Sequence, residues 1–361
     1  MEKSQEISVF SLPPEIIFQI LKELPVKSLL RLKCVSKLWC SIIDDPFFVQ
    51  SHHTRSHTCP GGISILHYDN TCRLELADPE FDSVHHILNL PRTYFRNPQY
   101  HNGLICIDNY ISNPSTRECI IIPPPLRSKT KASFEESSKE LDPQYFLGFD
   151  PSSNKYKVLY RHAIITKLHN RREIMFEYEY KILTFGTNSW RDIDCSISCH
   201  RGIISRSCSI AGFIYFIHSN SDEYVLEAFE VGQEKFSVVS LPEGANSASF
   251  LVQVGERLAV MDFDRKTIWI LEDCRKQLWN RQSLVMMYEG EPLINNNGLL
   301  MRPYGTIHTS EILVGLFFSK EASKLSFYDL ERKKLRILKT MTPNVHFYAK
   351  YVESLFRLKG L

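Results

Sequence analysis

The sequence has 361 residues, 43% of them hydrophobic, and a formal net charge of +2 from 43 Lys and Arg against 41 Asp and Glu. This composition is typical of a folded chain and excludes a disordered protein. The near-neutral charge argues against a protein that works mainly by binding nucleic-acid phosphates. The length suits one small module and one large domain, because all-β domains often reach about 200–250 residues.

Cysteines and apolar runs constrain the compartment. The ten cysteines are scattered, unlike the dense disulfide framework of a small secreted domain. The polar start has no signal-peptide pattern, and no apolar run approaches the ~18 residues that a spanning helix needs. We therefore expect a cytoplasmic and/or nuclear protein with free thiols and no membrane contact. Cys34 and Cys106 lie among aliphatic residues, which predicts two small core side chains.

Helical periodicity is sustained only over about the first 50 residues. Pro14 suits the first turn of a helix. The apolar residues after it form one stripe, made of Ile16, Ile17, Ile20, Leu21 and Leu24. Pro25 ends this helix. A second short helix is predicted over 27–32 and a third from near Ser36, closed by residues 44–46.

These three helices carry more large apolar residues than a core of their size can enclose, because a domain below about 60 residues buries only ~60% of its surface. The surplus predicts an exposed apolar patch. Such a patch either marks a partner site or packs on the rest of the same chain. The periodicity alone leaves both possibilities open.

Residues 12–39, LPPEIIFQILKELPVKSLLRLKCVSKLW, resemble the F-box motif in its plant form, as do Asp45, Pro46 and Phe48 after them. Leu32 is one departure, since the plant pattern more often has Phe there. The resemblance implies a three-helix segment that binds the Skp1 adaptor of a cullin-RING ubiquitin ligase. The adaptor-facing residues that it implies are Leu12, Pro13, Ile16, Ile20, Leu21, Leu24, Pro25, Leu29, Leu30, Val35 and Trp39.

The basic residues of this module could form a nucleic-acid face, namely Lys22, Lys27, Arg31, Lys33 and Lys37. No aromatic residues alternate with them, and the whole chain is close to neutral. A solvated face, or one complementary to an acidic adaptor, is the better interpretation, so we expect no nucleic-acid partner.

From about residue 100 the periodicity changes to two. Short apolar runs recur on both sides of polar turns near residues 113, 150, 186, 231, 273 and 330. Repeats of ~40–50 residues with paired short strands suggest propeller blades, because radial stacking buries both faces of small sheets. A β-sandwich is the alternative.

This region is also similar to the plant F-box-associated domain, a kelch-like β-propeller. The similarity rests on HNGLIC at 101–106, NPSTRE at 113–118, LGFDPSSNKYKV at 147–158 and TNSWR at 187–191. Their Gly, Asn and Pro residues serve turns, and Trp190 serves packing. These motifs name no target.

We therefore expect an α+β multidomain chain, with a small N-terminal three-helix F-box followed by an all-β kelch-like propeller. The expected boundaries are 6–52 for the F-box, 53–94 for a connecting segment with the first strands, 95–345 for the propeller and 346–361 for a C-terminal segment.

The sequence contains no complete catalytic or metal-binding motif. There is no phosphate-binding glycine loop and no nucleophile elbow. Two groups suggest zinc without the paired Cys-x-x-Cys frame, namely His52, His53, His57 and Cys59, and Cys195, Cys199, His200 and Cys208. Loop histidines and structural thiols are the better interpretation. Asp262 and Asp264, which flank Phe263, are expected to make turn hydrogen bonds. We expect no catalytic residue, metal or cofactor.

The resemblance implies a non-catalytic substrate-recognition subunit of an SCF-type ubiquitin ligase. It would join a Skp1-like adaptor, and through it cullin, to an unidentified target protein. Two alternatives remain. One is an F-box regulator that acts without degradation, and the other is a propeller hydrolase whose front helices only pack.

Overall fold

The computed structural model describes residues 12–58, 62–68, 72–78, 82–90, 98–126, 138–167, 174–187, 189–194, 203–219, 224–246, 249–285, 287–288, 291–292, 299–306, 311–318, 323–340 and 345–358. The first of these ranges is helical. It contains α1 (Pro14–Lys22), α2 (Val26–Leu32), α3 (Lys37–Asp44) and α4 (Pro46–Thr58). The first three lie where the sequence predicts them. The predicted order of a helical segment followed by an all-β domain is confirmed, and a fourth helix, α4, follows α3 directly.

The start of α4 has a sequence signal. Oδ1 of Asp45 accepts hydrogen bonds from the backbone N–H groups of Phe47 and Phe48, at 2.9 and 3.1 Å, and Pro46 occupies the first helical position. The buried residues of α4 are Phe48, His52 and Ser56, so its inner face is largely polar. The sequence therefore shows no apolar stripe there, and the histidines predicted in a loop lie on a helix.

The described remainder is built of strands. In chain order they are β1 (Ile63–Tyr68), β2 (Cys72–Ala77), β3 (Val84–Leu90), β4 (Gln99–His101), β5 (Leu104–Ile107), β6 (Tyr110–Asn113), β7 (Glu118–Ile121), β8 (Ser138–Glu140), β9 (Gln144–Asp150), β10 (Lys155–Lys167), β11 (Ile174–Thr184), β12 (Arg191–Asp192), β13 (Ile203–Ile210), β14 (Phe213–Ser219), β15 (Tyr224–Glu230), β16 (Lys235–Val239), β17 (Phe250–Val254), β18 (Arg257–Asp262), β19 (Thr267–Asp273), β20 (Leu278–Ser283), β21 (Met287–Tyr288), β22 (Glu291–Pro292), β23 (Leu300–Thr306), β24 (Glu311–Phe317), β25 (Lys324–Asp329), β26 (Lys334–Thr340) and β27 (Val345–Lys350).

These strands form the six antiparallel sheets of a β-propeller, which confirms the propeller over the sandwich. Blade 1 has the order β27-β1-β2-β3, blade 2 contains β4–β7, and blade 3 contains β8–β12. Blades 4, 5 and 6 contain β13–β16, β17–β20 and β23–β26, and β21 pairs with β22 as a separate small hairpin. Buried apolar clusters lie between all neighbouring blades, so each sheet packs on a neighbour at both faces.

Blade 1 closes the ring, since its strands come from both ends of the domain. The C-terminal β27 pairs with β1 from Ile63 opposite Lys350 to His67 opposite Val345. The expected propeller boundaries at 95 and 345 therefore differ from the structure, in which β1–β3 and β27 belong to the ring. The segment expected at 53–94 divides into the end of α4 and three strands of blade 1.

A recurrent turn explains the repeats seen in the sequence. The side-chain oxygen of an Asn or Asp accepts hydrogen bonds from the backbone N–H groups two and three residues later. The residue four positions after the Asn or Asp has a positive φ. The four pairs are Asn113 with Arg117 (φ 60°), Asp150 with Asn154 (55°), Asp273 with Gln277 (53°) and Asp329 with Lys333 (53°). Asp262 accepts in a similar way from Arg265 at 2.9 Å, as predicted.

The predicted repeat units match the blades only in part. The turns near 113, 186, 231, 273 and 330 join the two outer strands of blades 2–6. The turn near 150 instead joins β9 to β10, so the sequence pattern counts blade 3 twice. Blade 1 escapes the pattern because its strands are separated along the chain.

Candidate functional site

The helical unit, defined here as residues 12–58 with helices α1–α4, has a small apolar core. Its buried residues are Ile17, Leu21, Val26, Leu29, Ile43 and Phe48, with Leu355 from the C-terminal end of the chain among them. One side of α1 faces away from this core. On that side Ile16 and Ile20, one helical turn apart, are about half exposed, at 47% and 49%, and so is Leu12 just before the helix.

Other exposed apolar residues of the helical unit lie beyond α1. Val35, Leu38 and Phe47 are exposed large apolar residues of the same unit. Phe47 also packs on Phe18, with ring centroids 5.8 Å apart. Leu38 and Phe47 are not among the predicted partner-facing residues. Both were visible as apolar residues of the motif region, but no periodicity marked them as exposed.

The structure divides the predicted adaptor-facing residues into three groups. The exposed ones are Leu12, Pro13, Ile16, Ile20, Pro25 and Val35. The half-buried ones are Leu24, Leu30 and Trp39. Leu21 and Leu29 are buried, with 2% and 0% exposure, so we reassign them to the core that holds the helices together. The exposed and half-buried residues remain a prediction for partner contact.

The charged residues near this face differ in role. Lys33 forms an ion pair with Asp44 at the end of α3, and Arg357 lies 3.7 Å from the same carboxylate. Burial raises the pKa of Asp44, but hydrogen bonds from Lys33 and Cys40 outweigh it and hold the pKa below its ordinary value. Lys27, Arg31 and Lys37 are exposed.

Helix α4 is a part of the helical unit that contacts the propeller. Nε2 of His53 donates to the carbonyl oxygen of Asn102 in the turn between β4 and β5, at 3.2 Å. Nζ of Lys350 donates to the carbonyl oxygen of His57 at 2.8 Å. Burial lowers the pKa of His53, His57 and His101 to about 4 in each case. The junction therefore holds a group of neutral histidines at neutral pH.

The candidate metal and thiol residues form no site in the described part of the chain. Cys59, Cys195, Cys199 and His200 lie outside the described residues, and within the described ranges no three His, Cys, Asp or Glu side chains are arranged to hold a metal ion. Cys106 is buried, as predicted, whereas Cys34 is exposed. Burial raises the pKa of the Cys106 and Cys208 thiols to about 12, which keeps them protonated.

Trp190 packs in the manner predicted. It lies in the segment just before β12 and contacts Tyr145 and Tyr160, with ring centroids 6.5 and 5.7 Å away. Its Nε1 donates to the carbonyl oxygen of Pro123, beyond β7 of blade 2, at 3.0 Å. Trp279 repeats this contact between blades 5 and 4, because its Nε1 donates to the carbonyl oxygen of Ser240 at 2.9 Å. Both side chains fasten neighbouring blades.

None of the helices within the described ranges is long and apolar enough to cross a lipid bilayer.

A helical unit with an exposed apolar face, followed by a six-bladed propeller, defines an F-box protein of the propeller class. Residues 9–50 match the F-box domain, and residues 55–356 match the F-box associated beta propeller domain. The chain belongs to this F-box-associated propeller family. Proteins with an F-box are typically adaptors rather than enzymes. The prediction of kelch-type repeats within the propeller stays a prediction.

Two plant proteins are similar to this chain over most of their length. The Arabidopsis thaliana protein At4g38870 is 29% identical, over 93% of this chain and 84% of its own length. F-box protein At5g65850 of the same plant is 28% identical, over 92% and 84%. A solved chain from a nidogen/laminin complex has a TM-score of 0.48 at 10% identity, covering 81% of this chain and 99% of its own, which is too remote to bear on function.

Proposed function

We propose that this protein is the substrate-recognition subunit of an SCF ubiquitin ligase in the cytoplasm and/or nucleus. The helical unit would bind a Skp1-like adaptor and, through it, cullin. The propeller would bind a target protein. Catalysis by the other subunits would then follow from proximity, because a bridge raises the effective concentration of the target at the ligase.

The exposed apolar face of α1 carries this proposal. Leu12, Ile16 and Ile20 remain exposed although the helical unit has a buried apolar core and packs on the propeller through α4 and the C-terminal end. Exposed apolar groups in a row are costly in water unless a partner covers them. The alternative that this patch packs on the rest of the same chain is disfavoured by that exposure.

The strand topology favours one face of the propeller for the target. The helical unit and the C-terminal end touch the turns at 102–103 and 114–117 of blade 2 and Phe185, just after β11 of blade 3. These turns lie at one end of the strands. The connections between successive blades leave from the opposite end, because the strands alternate in direction. A target bound there would face away from the adaptor, and loops on a rigid scaffold are common recognition sites.

The test is the affinity of the full chain for a purified plant Skp1-like adaptor. In the variant Ile16→Asp/Ile20→Asp, two carboxylates would have to be buried unpaired in the interface. We expect a loss of affinity of at least 100-fold, on the order of 3 kcal/mol. Both side chains are about half exposed in the free protein, so the fold should persist.

The matched control is Ile121→Asp on β7, an isoleucine with 60% exposure that lies on the propeller. It should bind the adaptor as wild type does. If the double variant bound the adaptor as tightly as the control, the proposed docking face would be wrong.

A further inference from the structure

The C-terminal clasp, defined here as residues 351–358, lies between the propeller and the helical unit. It follows β27 and adopts no regular secondary structure. Most of its residues are buried nonetheless, because one side of the segment contacts blades 2 and 3 and the other contacts the helices. The clasp is therefore shared between the two parts of the protein.

Blade 2 holds the clasp through side-chain hydrogen bonds to its backbone. Nδ2 of Asn113 donates to the carbonyl oxygens of Ser354 and Phe356, at 3.0 and 2.8 Å. The hydroxyl of Ser115 accepts from the N–H of Ser354 at 3.0 Å, and a carboxylate oxygen of Glu118 accepts from the N–H of Leu358 at 2.9 Å. These bonds orient alternate side chains toward the propeller.

Phe356 and Leu358 point to the propeller side. The Phe356 ring lies 4.6 Å from that of Tyr156, centroid to centroid, with an interplanar angle of 62°. Leu358 is buried in the cluster between blades 2 and 3. Gly103 marks how closely the chains approach, since a Cβ there would lie 2.7 Å from Cβ of Ser354.

The side chains of Glu353, Leu355 and Arg357 point to the helices. A carboxylate oxygen of Glu353 accepts from the backbone N–H of Val26, the first residue of α2, at 3.2 Å. Leu355 is buried in the core of the helical unit. Arg357 lies 3.7 Å from Asp44, the last residue of α3. One extended segment thus contacts the start of α2, the core and the end of α3.

We propose that Glu353, Leu355 and Arg357 are positioning residues for adaptor binding, although they lie some 300 residues from the F-box motif. This inference rests on the proposed function. The helical unit has too few residues to enclose a large core, so an extra apolar side chain and a cap on α2 stabilise the arrangement that exposes the docking face. An adaptor would bind only the fraction of molecules with that arrangement.

Hydrogen exchange on the full chain tests the positioning role without any adaptor. In Leu355→Ala, we expect the protection of the amides of α2 and α3 to fall about 30-fold, because a buried leucine is removed from a small core. The strands of blade 5, which do not touch the clasp, should keep their protection. Protection of α2 and α3 within twofold of wild type would overturn the proposal.

The matched control is Leu358→Ala, which removes the same side chain from the propeller side. It should lower protection in blades 2 and 3 and leave α2 close to wild type. An equal loss of protection in α2 would overturn the assignment to the helix-facing side chains.

Adaptor affinity completes the test. In Leu355→Asp, we expect the dissociation constant for a purified Skp1-like adaptor to rise at least tenfold, because a buried carboxylate shifts molecules out of the competent arrangement. An unchanged affinity would overturn the inference. Failure of the proposed function is distinguishable, since wild type itself would then not bind the adaptor while the exchange result still holds.

Discussion

At the residue scale, two glycines show how similar backbones can serve different purposes. Gly103 and Gly186 have φ values of +81° and +86°, in the region that side chains disfavour. A Cβ at Gly186 would meet no atom within 4 Å. A Cβ at Gly103 would lie 2.7 Å from both the Ser354 Cβ and the Val352 carbonyl oxygen. Gly103 is therefore needed for a close approach as well as for its turn.

We expect Gly103→Ala to lower the free energy of unfolding by about 3–4 kcal/mol, since backbone strain of ~1–2 kcal/mol adds to steric overlap. Gly186→Ala should cost only the strain. Urea denaturation of the two variants and wild type measures the difference. Equal losses would show that the clasp moves aside freely.

At the element scale, the recurrent Asx turn can be predicted from the sequence, whereas helix α4 cannot be predicted from apolar periodicity. The sequence predicts these turns, because the side-chain oxygen of an Asn or Asp in the first position accepts hydrogen bonds from backbone N–H groups wherever the motif occurs. Helix α4 begins at a readable cap, yet its buried face contains His52 and Ser56. A pattern of apolar residues cannot reveal a helix whose inner face is polar.

Asn113 and Asp329 begin turns of the same type, but Asn113 also holds the clasp. We expect Asp329→Ala to lower stability by about 1 kcal/mol, through loss of the turn bonds. Asn113→Ala should cost about 2–4 kcal/mol, because two carbonyl oxygens of the clasp, one of them buried, also lose their donor. Chemical denaturation measures both. A smaller loss for Asn113→Ala would contradict this account of the clasp.

At the scale of the whole molecule, the two chain ends meet. Strand β27 completes the blade that β1 begins, and the clasp after it completes the core of the helical unit. The ring and the helical unit therefore depend on residues that the chain supplies last. The same junction contains His53 and His57 on α4, together with His101 on β4 and Lys350 on β27.

This junction should make the protein sensitive to acid. Burial lowers the pKa of His53, His57 and His101 to about 4, whereas an unfolded chain binds these protons near pH 6.5. The unfolded state then carries more protons between those values, so the free energy of unfolding falls as the pH drops from 6.5 toward 4. Well above pH 6.5 these histidines are neutral in both states, so they do not make the free energy of unfolding depend on pH.

The measurement is the unfolding free energy at several pH values between 7 and 4. We expect His53→Gln to flatten the dependence over this window, because one buried titrating group is removed. His85→Gln, at an exposed histidine on β3, is the matched control and should keep the wild-type slope. Identical slopes for wild type and His53→Gln would count against a role of this histidine.

The sequence by itself determined the local features of this protein. Helices α1–α3, the polar turns between strands and the surplus of apolar residues in the helical unit follow from periodicity, caps and turn chemistry, which act between near neighbours. Only the tertiary structure decided which motif residues face outward, since Leu21 and Leu29 are as apolar as Ile16 and differ only in what packs on them. It also decided the closure of blade 1 and the place of Leu355 in the helical core, because contacts between distant segments leave no period in the sequence.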